Sequence, residues 1–294
     1  MIDYTFIIPH HNSPELLNRL LDTIPQRKDI EIIVVDDNRD VDKKPQVSRD
    51  DVNVILLSKE KSKGAGYARN VGLDMAKGKW LMFADGDDYY VDNFIEDLDC
   101  YKNSEYDIIY FDAYLNYTLG DELCKYEKGF IHNCIINYEN SAKTTYDKNL
   151  FVLSSNTPWC KMMRREFVLS TKCRYEEIPI SNDASFILNV GVKANIIKTV
   201  NKKIYFYMLN PQGITYVKRP LNHYYLALKS SIRLNVLKNS CGCWKLIKYP
   251  GFHVENILRD HGRLACCRLF LYRLLHDPTM VSVAIKKMWV YIRK

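Results

Sequence analysis

Hydrophobic residues in the first hundred positions fall into two alternating patterns. Short continuous apolar runs occupy residues 4–8 (YTFII), 30–35 (IEIIVV), 52–57 (VNVILL) and 80–84 (WLMFA). Runs this short, rich in β-branched and aromatic residues and bounded by Pro, Gly or Asp, predict strands buried on both faces. Between the first two, Leu16, Leu17, Leu20, Leu21 and Ile24 recur at helical spacing. Ser13-Pro14-Glu15 before them reads as an N-cap, a proline at the first helical position and an acid in the first turn. A second helix is predicted after Lys63-Gly64-Ala65-Gly66, carrying Ala68, Val71, Leu73 and Ala76. The order strand, helix, strand, strand, helix, strand predicts an α/β fold, a single mostly parallel twisted sheet flanked by helices, Rossmann-like in plan.

Beyond residue 91 the pattern is less regular. Phe94, Ile95 and Leu98 predict a helix with Asp92 as its N-cap, and residues 106–111 (YDIIYF) a strand. Strands near 113–117 and a helix from about Tyr138 are the reading of a Tyr- and Asn-rich stretch. Phe186, Ile187, Val190 and Val192 predict a helix capped by Ser181 or Asn182. Residues 204–209 (IYFYML) predict a strand, followed by a turn at 210–213. From Leu221 the pattern is helical to the end, a helical C-terminal extension. The domain division expected is residues 1–217 and residues 218–294, the first splitting into halves 1–100 and 101–217.

Composition adds three constraints. With 294 residues and 47% hydrophobic content the chain has ample material for a core. No apolar run approaches the roughly 18–20 residues that span a bilayer, and the N-terminus reads as a first strand, not a signal peptide. Nine cysteines are scattered without a C-x-x-C pair, which suits reduced thiols in a cytoplasmic protein. The formal charge of +7 is uneven: from Pro220 onward seven Lys and six Arg face three acids, a net +10, against −3 for the rest. A basic tail points to an anionic surface as partner. Its amphipathic helices suit either a peripheral position on the inner face of a membrane or packing on the main domain with a solvated basic face. No nucleic-acid partner is expected.

The chemistry concentrates at residues 78–91, GKWLMFADGDDYYV. Asp85, Asp87 and Asp88 follow an apolar strand directly, at its C-terminal end, the edge where open α/β sheets bind ligands. Carboxylates this close repel one another unless a cation lies between them, and a hard divalent ion with oxygen ligands meets that need. An Asp-rich solvated turn is the alternative. Gly86 leaves room for a tight turn or a close ligand.

In FIIPHHN, EIIVVDDN, GAGYARNVGLDMAKGKW and FADGDD, taken in this order and spacing, the chain resembles the family-2 glycosyltransferases of bacterial surface-polysaccharide type, inverting enzymes with the A-type nucleotide-sugar-binding fold. The likeness covers the first hundred residues clearly and continues loosely to about 217. It implies that Asp37 contacts uracil and that Pro9 and His11 lie against the base. It implies donor contacts from Arg69, Asn70, Asp85 and Gly86, with Arg69 reaching the phosphates or holding Asp37. It implies a divalent metal, Mn²⁺ or Mg²⁺, on Asp87 with Asp85 assisting and Asp88 behind them. An acidic pair at a later helix start normally supplies the base; here it is Asn182-Asp183, so the base role falls on Asp183 and the first acid is replaced by an amide. Trp159, Lys161 and Asn182 become candidates for acceptor binding, with core packing the alternative for Trp159. A polar segment after residue 209 is expected to close over the nucleotide.

The implied reaction is an inverting transfer of a sugar from a UDP-sugar donor to a hydroxyl of a saccharide or lipid-linked saccharide acceptor, in cell-surface polysaccharide synthesis. Lys63-Gly64-Ala65-Gly66 lacks the Walker pattern, and no G-x-G-x-x-G follows the first strand. A nucleotidyltransferase or a non-catalytic nucleotide-sugar-binding partner of an assembly complex are the other readings of a metal-binding α/β sheet.

Overall fold

The computed structural model describes residues 1–38, 44–58, 63–119, 122–126, 129, 131–209, 218–247 and 253–292. Strand β1 (Tyr4–His10) leads into α1 (Pro14–Thr23), then β2 (Ile30–Asp36) and β3 (Val52–Leu56). Helix α2 (Ala65–Met75) returns to β4 (Trp80–Phe83), followed by β5 (Tyr89–Tyr90) and α3 (Phe94–Asp99). The second half carries β6 (Ile108–Leu119), β7 (Glu122–Tyr126), α4 (His132–Glu139), α5 (Thr145–Ser154), β8 (Lys161–Arg164), α6 (Arg165–Ser170), α7 (Ala184–Lys193) and β9 (Ile197–Leu209). Three helices follow, α8 (Leu221–Ser240), α9 (Val254–His276) and α10 (Thr279–Ile292).

All the strands join one sheet, in the order β3-β2-β1-β4-β8-β6-β9-β5 with β7 paired to β6. The strands β3, β2, β1 and β4 are parallel, as is β6 with β9; β8 and the short β5 and β7 run antiparallel to their neighbours. Alternate residues of each strand face opposite sides. Phe6, Ile8, Ile32, Val34 and Met82 pack under α1 and α3, while Ile7, Ile33, Val35, Leu81 and Phe83 pack under α2, α5 and α7. Burial on both faces is why these strands read as unbroken apolar runs rather than alternating ones.

Several element boundaries differ from the sequence reading. Asn93, in a left-handed conformation, precedes α3 as its N-cap in place of Asp92. The helix expected from Tyr138 is two helices, and Tyr138 lies near the end of the first. Asp183, not Ser181 or Asn182, caps α7, accepting the Ala184 N–H at 2.9 Å. Strands β5, β7 and β8 are too short, or too plain in pattern, to stand out in the sequence. The segment expected to close over the nucleotide, 210–217, lies outside the described residues.

The C-terminal helices build a smaller core of their own, with Tyr224, Ala227 and Leu228 of α8 against Ile257, Ala265 and Leu269 of α9. Ile180, from the loop before α7, belongs to that core. The extension is therefore packed on the loop that leads to Asp183.

Candidate active site

Parallel pairing places the C-terminal ends of β1, β2 and β4 side by side. His10 is level with Asp36, and Ile7 with Phe83, so residues 10–12, 36–38 and 84–88 emerge on one edge. The chemistry-bearing turns meet there because the sheet brings them together, although they are up to 78 residues apart.

The backbone of Asp37 is tied to β1, its N–H donating to the His10 carbonyl at 3.0 Å. Its carboxylate Oδ2 accepts the Gly64 N–H at 2.7 Å. Gly64 has φ +92, a left-handed value that favours glycine, and this geometry turns its amide toward Asp37 at the start of α2. His11 is exposed, its Nδ1 3.2 Å from the Asp37 carbonyl oxygen, on the loop expected to face a base. Beneath it lies a pair the sequence reading passed over. His10 is buried, with Nδ1 2.7 Å from Asp36 Oδ1, while the Ser13 N–H points at Nε2 from 3.4 Å. Those contacts suit the tautomer with its proton on Nδ1, donating to Asp36 and accepting from Ser13.

Arg69 projects from the second turn of α2 and is buried. Its guanidinium donates to Asp85 Oδ1 at 2.6 Å and to Asn182 Oδ1 at 2.9 Å, and lies over the Tyr175 ring at 5.4 Å. Of the two expectations for Arg69, holding Asp37 is corrected: its carboxylate partner is Asp85. Asn70 is bonded at both ends of its amide. Its amide donates to the Tyr175 carbonyl at 3.0 Å and accepts the Tyr175 N–H at 2.9 Å, so it clamps the loop before α7. Gly66 permits that loop's approach, since a Cβ there would stand 2.0 Å from the Glu176 carbonyl oxygen.

The acidic turn is fixed from three directions. The Asp85 N–H donates to the Tyr205 hydroxyl at 2.9 Å, and Arg19 of α1 donates to the Asp87 carbonyl. Asp88 is fully buried and its Oδ1 accepts the Met208 N–H at 2.7 Å. A Cβ on Gly86 would meet the Pro9 carbonyl at 3.3 Å, which places β1's end against this turn. Burial, reinforced by Asp85, pushes the Asp87 carboxyl up to about 6. Burial, with Asp85 and Asp87 adding to it, pushes Asp88 well above the usual carboxylate range. The Met208 N–H and the Tyr205 hydroxyl oppose that shift without cancelling it. Negative charge in this turn is thus in excess of its protein partners, the condition under which a cation is favoured. No cluster of three or more His, Cys, Asp or Glu side chains among the described residues forms a complete metal cage. This donor set fits an ion such as Mg²⁺ or Mn²⁺ that takes one or two carboxylates and completes its shell with phosphate oxygens and water.

Asp183 is partly exposed at the start of α7, directly after Asn182. Burial raises its carboxyl, Arg69 opposes that shift, and Asp85 adds to it. Asn182, the residue before it, accepts from Arg69 at 2.9 Å, and Arg69 in turn bonds Asp85, which brings Asp183 into the same site as the acidic turn. Two acceptor candidates do not stand open to it. Trp159 is 2% exposed and stacks on Tyr205 and Tyr207, at 5.4 and 5.3 Å between ring centres, so core packing holds and no free face awaits a sugar. Lys161 is 1% exposed, donates to the Thr157 carbonyl at 2.6 Å, and is lowered to about 7 chiefly by burial. Asn182 spends its oxygen on Arg69.

Residues that the sequence reading missed, Arg19, Tyr175 and Tyr205, act across distances of 68 to 120 positions or through ring faces. No local pattern marks them.

Residues 5–169 match the model of glycosyl transferase family 2. A cholesterol galactosyltransferase of Borreliella burgdorferi is 27% identical over 216 residues, 68% of this chain and 58% of that protein. The poly(ribitol-phosphate) beta-N-acetylglucosaminyltransferase TarS of Staphylococcus aureus is 24% identical over 72% of this chain and 36% of that protein. The chain thus spans less than two thirds of the length of either relative. In three dimensions, the crystal structure of S. aureus TarS 1–349 with UDP-GlcNAc superposes with a TM-score of 0.65 at 18% identity, over 95% of this chain and 83% of that one. The family match over more than half of the chain sets the nucleotidyltransferase alternative aside: the chain belongs to glycosyl transferase family 2.

Proposed function

We propose that the protein transfers a sugar from a UDP-sugar donor to a hydroxyl of a saccharide acceptor with inversion at the anomeric carbon. The observation that carries this reading is the bonding of Arg69 to both Asp85 and Asn182, which sets Asp183, the next residue, beside the acidic turn. Support for the donor comes from the UDP-GlcNAc complex of the TarS structure and from the galactosyl- and N-acetylglucosaminyltransferases among the relatives.

Pro9, His11 and Asp37 line the end of the site where the base lies, and Gly86 lets the pyrophosphate approach the turn. Asp87, assisted by Asp85, would hold a divalent metal, which would supply charge neutralisation for the departing diphosphate. Arg69 holds Asp85 in place and adds positive charge at the same point. Asp183 takes the proton of the acceptor hydroxyl as its oxygen attacks the anomeric carbon. The bond from that carbon to the diphosphate oxygen breaks as the new one forms from the opposite face, so one base is sufficient and no sugar ester to the protein is needed. The raised carboxyl of Asp183 brings it nearer to the proton affinity a general base needs at neutral pH.

The acceptor we favour is a growing cell-surface saccharide, free or lipid-linked, with the enzyme in the cytoplasm at the inner face of the membrane. No helix among the described residues is long and apolar enough to cross a membrane.

The test is Asp183→Asn, which keeps the cap on Ala184 and removes only proton acceptance. UDP release from a panel of UDP-sugars with acceptor should fall about 10²–10⁴-fold while UDP binding survives. Wild-type transfer by the variant would end the assignment. Wild-type protein that binds UDP yet neither hydrolyses nor transfers any donor would favour a non-catalytic binding role.

A further inference from the structure

Helix α9 is apolar on two opposite sides. Its inward side, with Ile257, Ala265 and Leu269, packs on α8. After a break at Gly262, the outward side presents Leu264, Leu271 and Leu275, at 67%, 55% and 70% exposure. Their spacing of seven and four residues puts them in one stripe along the helix. Leu274 and Phe270 flank it, and Val281 and Ile285 of α10 are exposed nearby in the chain. An apolar cavity of about 350 Å³ between α8 and α9 is bordered by Cys267 and Phe270, which are themselves exposed. Contiguous exposed apolar surface marks an interaction site.

Charge selects the partner. Arg263 and Arg268 are exposed on α9 beside the stripe, and Lys286 on α10. After Gly262 the sequence holds one acid, Asp277, which is buried and accepts from Asn235 at 2.8 Å. A second copy of this chain would bring like charges together, whereas an anionic surface neutralises them.

We propose that α9 from Leu264 to Leu275 seats the protein on an anionic bilayer, the leucine stripe at the boundary of headgroups and acyl chains and the arginines on lipid phosphates. The seat is mechanically joined to the reacting centre. Ser181 Oγ lies 3.3 Å from His253 Nε2 at the start of α9, Ile180 is part of the extension's core, and Asp183 follows two residues after Ser181. A bilayer-bound α9 therefore carries the base's loop on its inward side, and the acceptor it serves is a saccharide anchored in the same membrane. That last point rests on the sugar-transfer reading; the lipid-binding surface does not.

Flotation of the full chain with vesicles tests it. The wild type should float with vesicles containing phosphatidylglycerol, stay behind with pure phosphatidylcholine, and detach as salt is raised. Leu271→Gln with Leu275→Gln should cut partitioning by at least about ten-fold, since each buried leucine is worth about a factor of ten or more, with an unchanged thermal melt. Arg263→Gln with Arg268→Gln should weaken binding and flatten its salt dependence. UDP release with a water-soluble acceptor, without vesicles, should be unchanged in the leucine pair, so loss of seating and loss of catalysis are separate readings. Wild-type protein that ignores anionic vesicles, or a leucine pair that floats like wild type, overturns the proposal. So does a leucine pair that converts a sedimenting dimer to monomer without altering flotation, which would make the stripe a contact between copies.

Discussion

The Arg69 guanidinium and the Asp85 carboxylate meet at 2.6 Å and join two parts of the chain that the sequence keeps apart, the Gly-rich helix and the acidic strand end. Arg69 is almost wholly buried whereas the Asp85 side chain is 28% exposed, so the arginine depends on the pair more than the aspartate does. Arg69 also holds Asn182, the residue before the proposed base. Arg69→Met should cost about 2–3 kcal/mol, below the usual range for breaking a fully buried pair because water reaches Asp85. Chemical denaturation measures that loss, and UDP titration of the folded variant should show weakened binding as well.

Asp87 sets a pH dependence with a defined sign. Its folded-state carboxyl sits near 6, above the unfolded value of about 3.9. Between those values the folded protein holds the extra proton, so this group's contribution to stability is full at the acid end and is lost as pH rises through 6. Asp87→Asn should therefore raise stability near pH 7, by an amount of the order of 1–2 kcal/mol, and flatten this part of the pH profile. Metal-assisted UDP binding should behave oppositely, weakening below pH 6 in the wild type and disappearing in the variant. Calorimetric titration with Mn²⁺ at pH 5.5 and 7.5 checks both directions; unchanged binding in Asp87→Asn would remove the metal from this residue.

Asn70 separates a structural from a ligand role. Both ends of its amide are bonded to the backbone of Tyr175. Asn70→Ala should destabilise the fold by about 1–3 kcal/mol by leaving those buried groups unpaired, while UDP affinity at a temperature where the variant is fully folded stays at the wild-type value. A stable variant with lost UDP binding would make Asn70 a donor contact.

Lys161 carries the opposite pH signature from Asp87. Burial lowers it to about 7, against an unfolded value of about 10.4. Over that window the unfolded chain holds more protons, so stability rises with pH between 7 and 10 and is lost as pH falls through 7. Lys161→Met keeps the volume, removes the charge, and should level this slope. Thermal melts at pH 6 and 9 give the comparison; equal slopes in both proteins would mean that Lys161 keeps an ordinary ammonium.

Burial on both faces of the central strands leaves a local mark, an apolar run bounded by turn residues, and that is why β1, β2 and β4 were legible along the chain; β3, at the sheet edge, reads the same way in sequence but is half-buried, with Leu56 exposed. The acidic turn was legible for the same local reason, since Asp85, Asp87 and Asp88 are adjacent and their repulsion needs no tertiary information to recognise. Pairing is not local. Whether Arg69 meets Asp37 or Asp85, whether Asn70 faces a nucleotide or Tyr175, and whether Trp159 offers a face or loses it to Tyr205 and Tyr207 depends on which strand ends the sheet sets side by side. The same holds for α9. Its sequence displays leucine and arginine on every side, and only packing against α8 decides that Ala265 and Leu269 turn inward and leave Leu264, Leu271 and Leu275 exposed. Spacing along a chain encodes which side chains share a face; which face meets which partner is set by contacts between segments far apart in sequence, and no local pattern carries them.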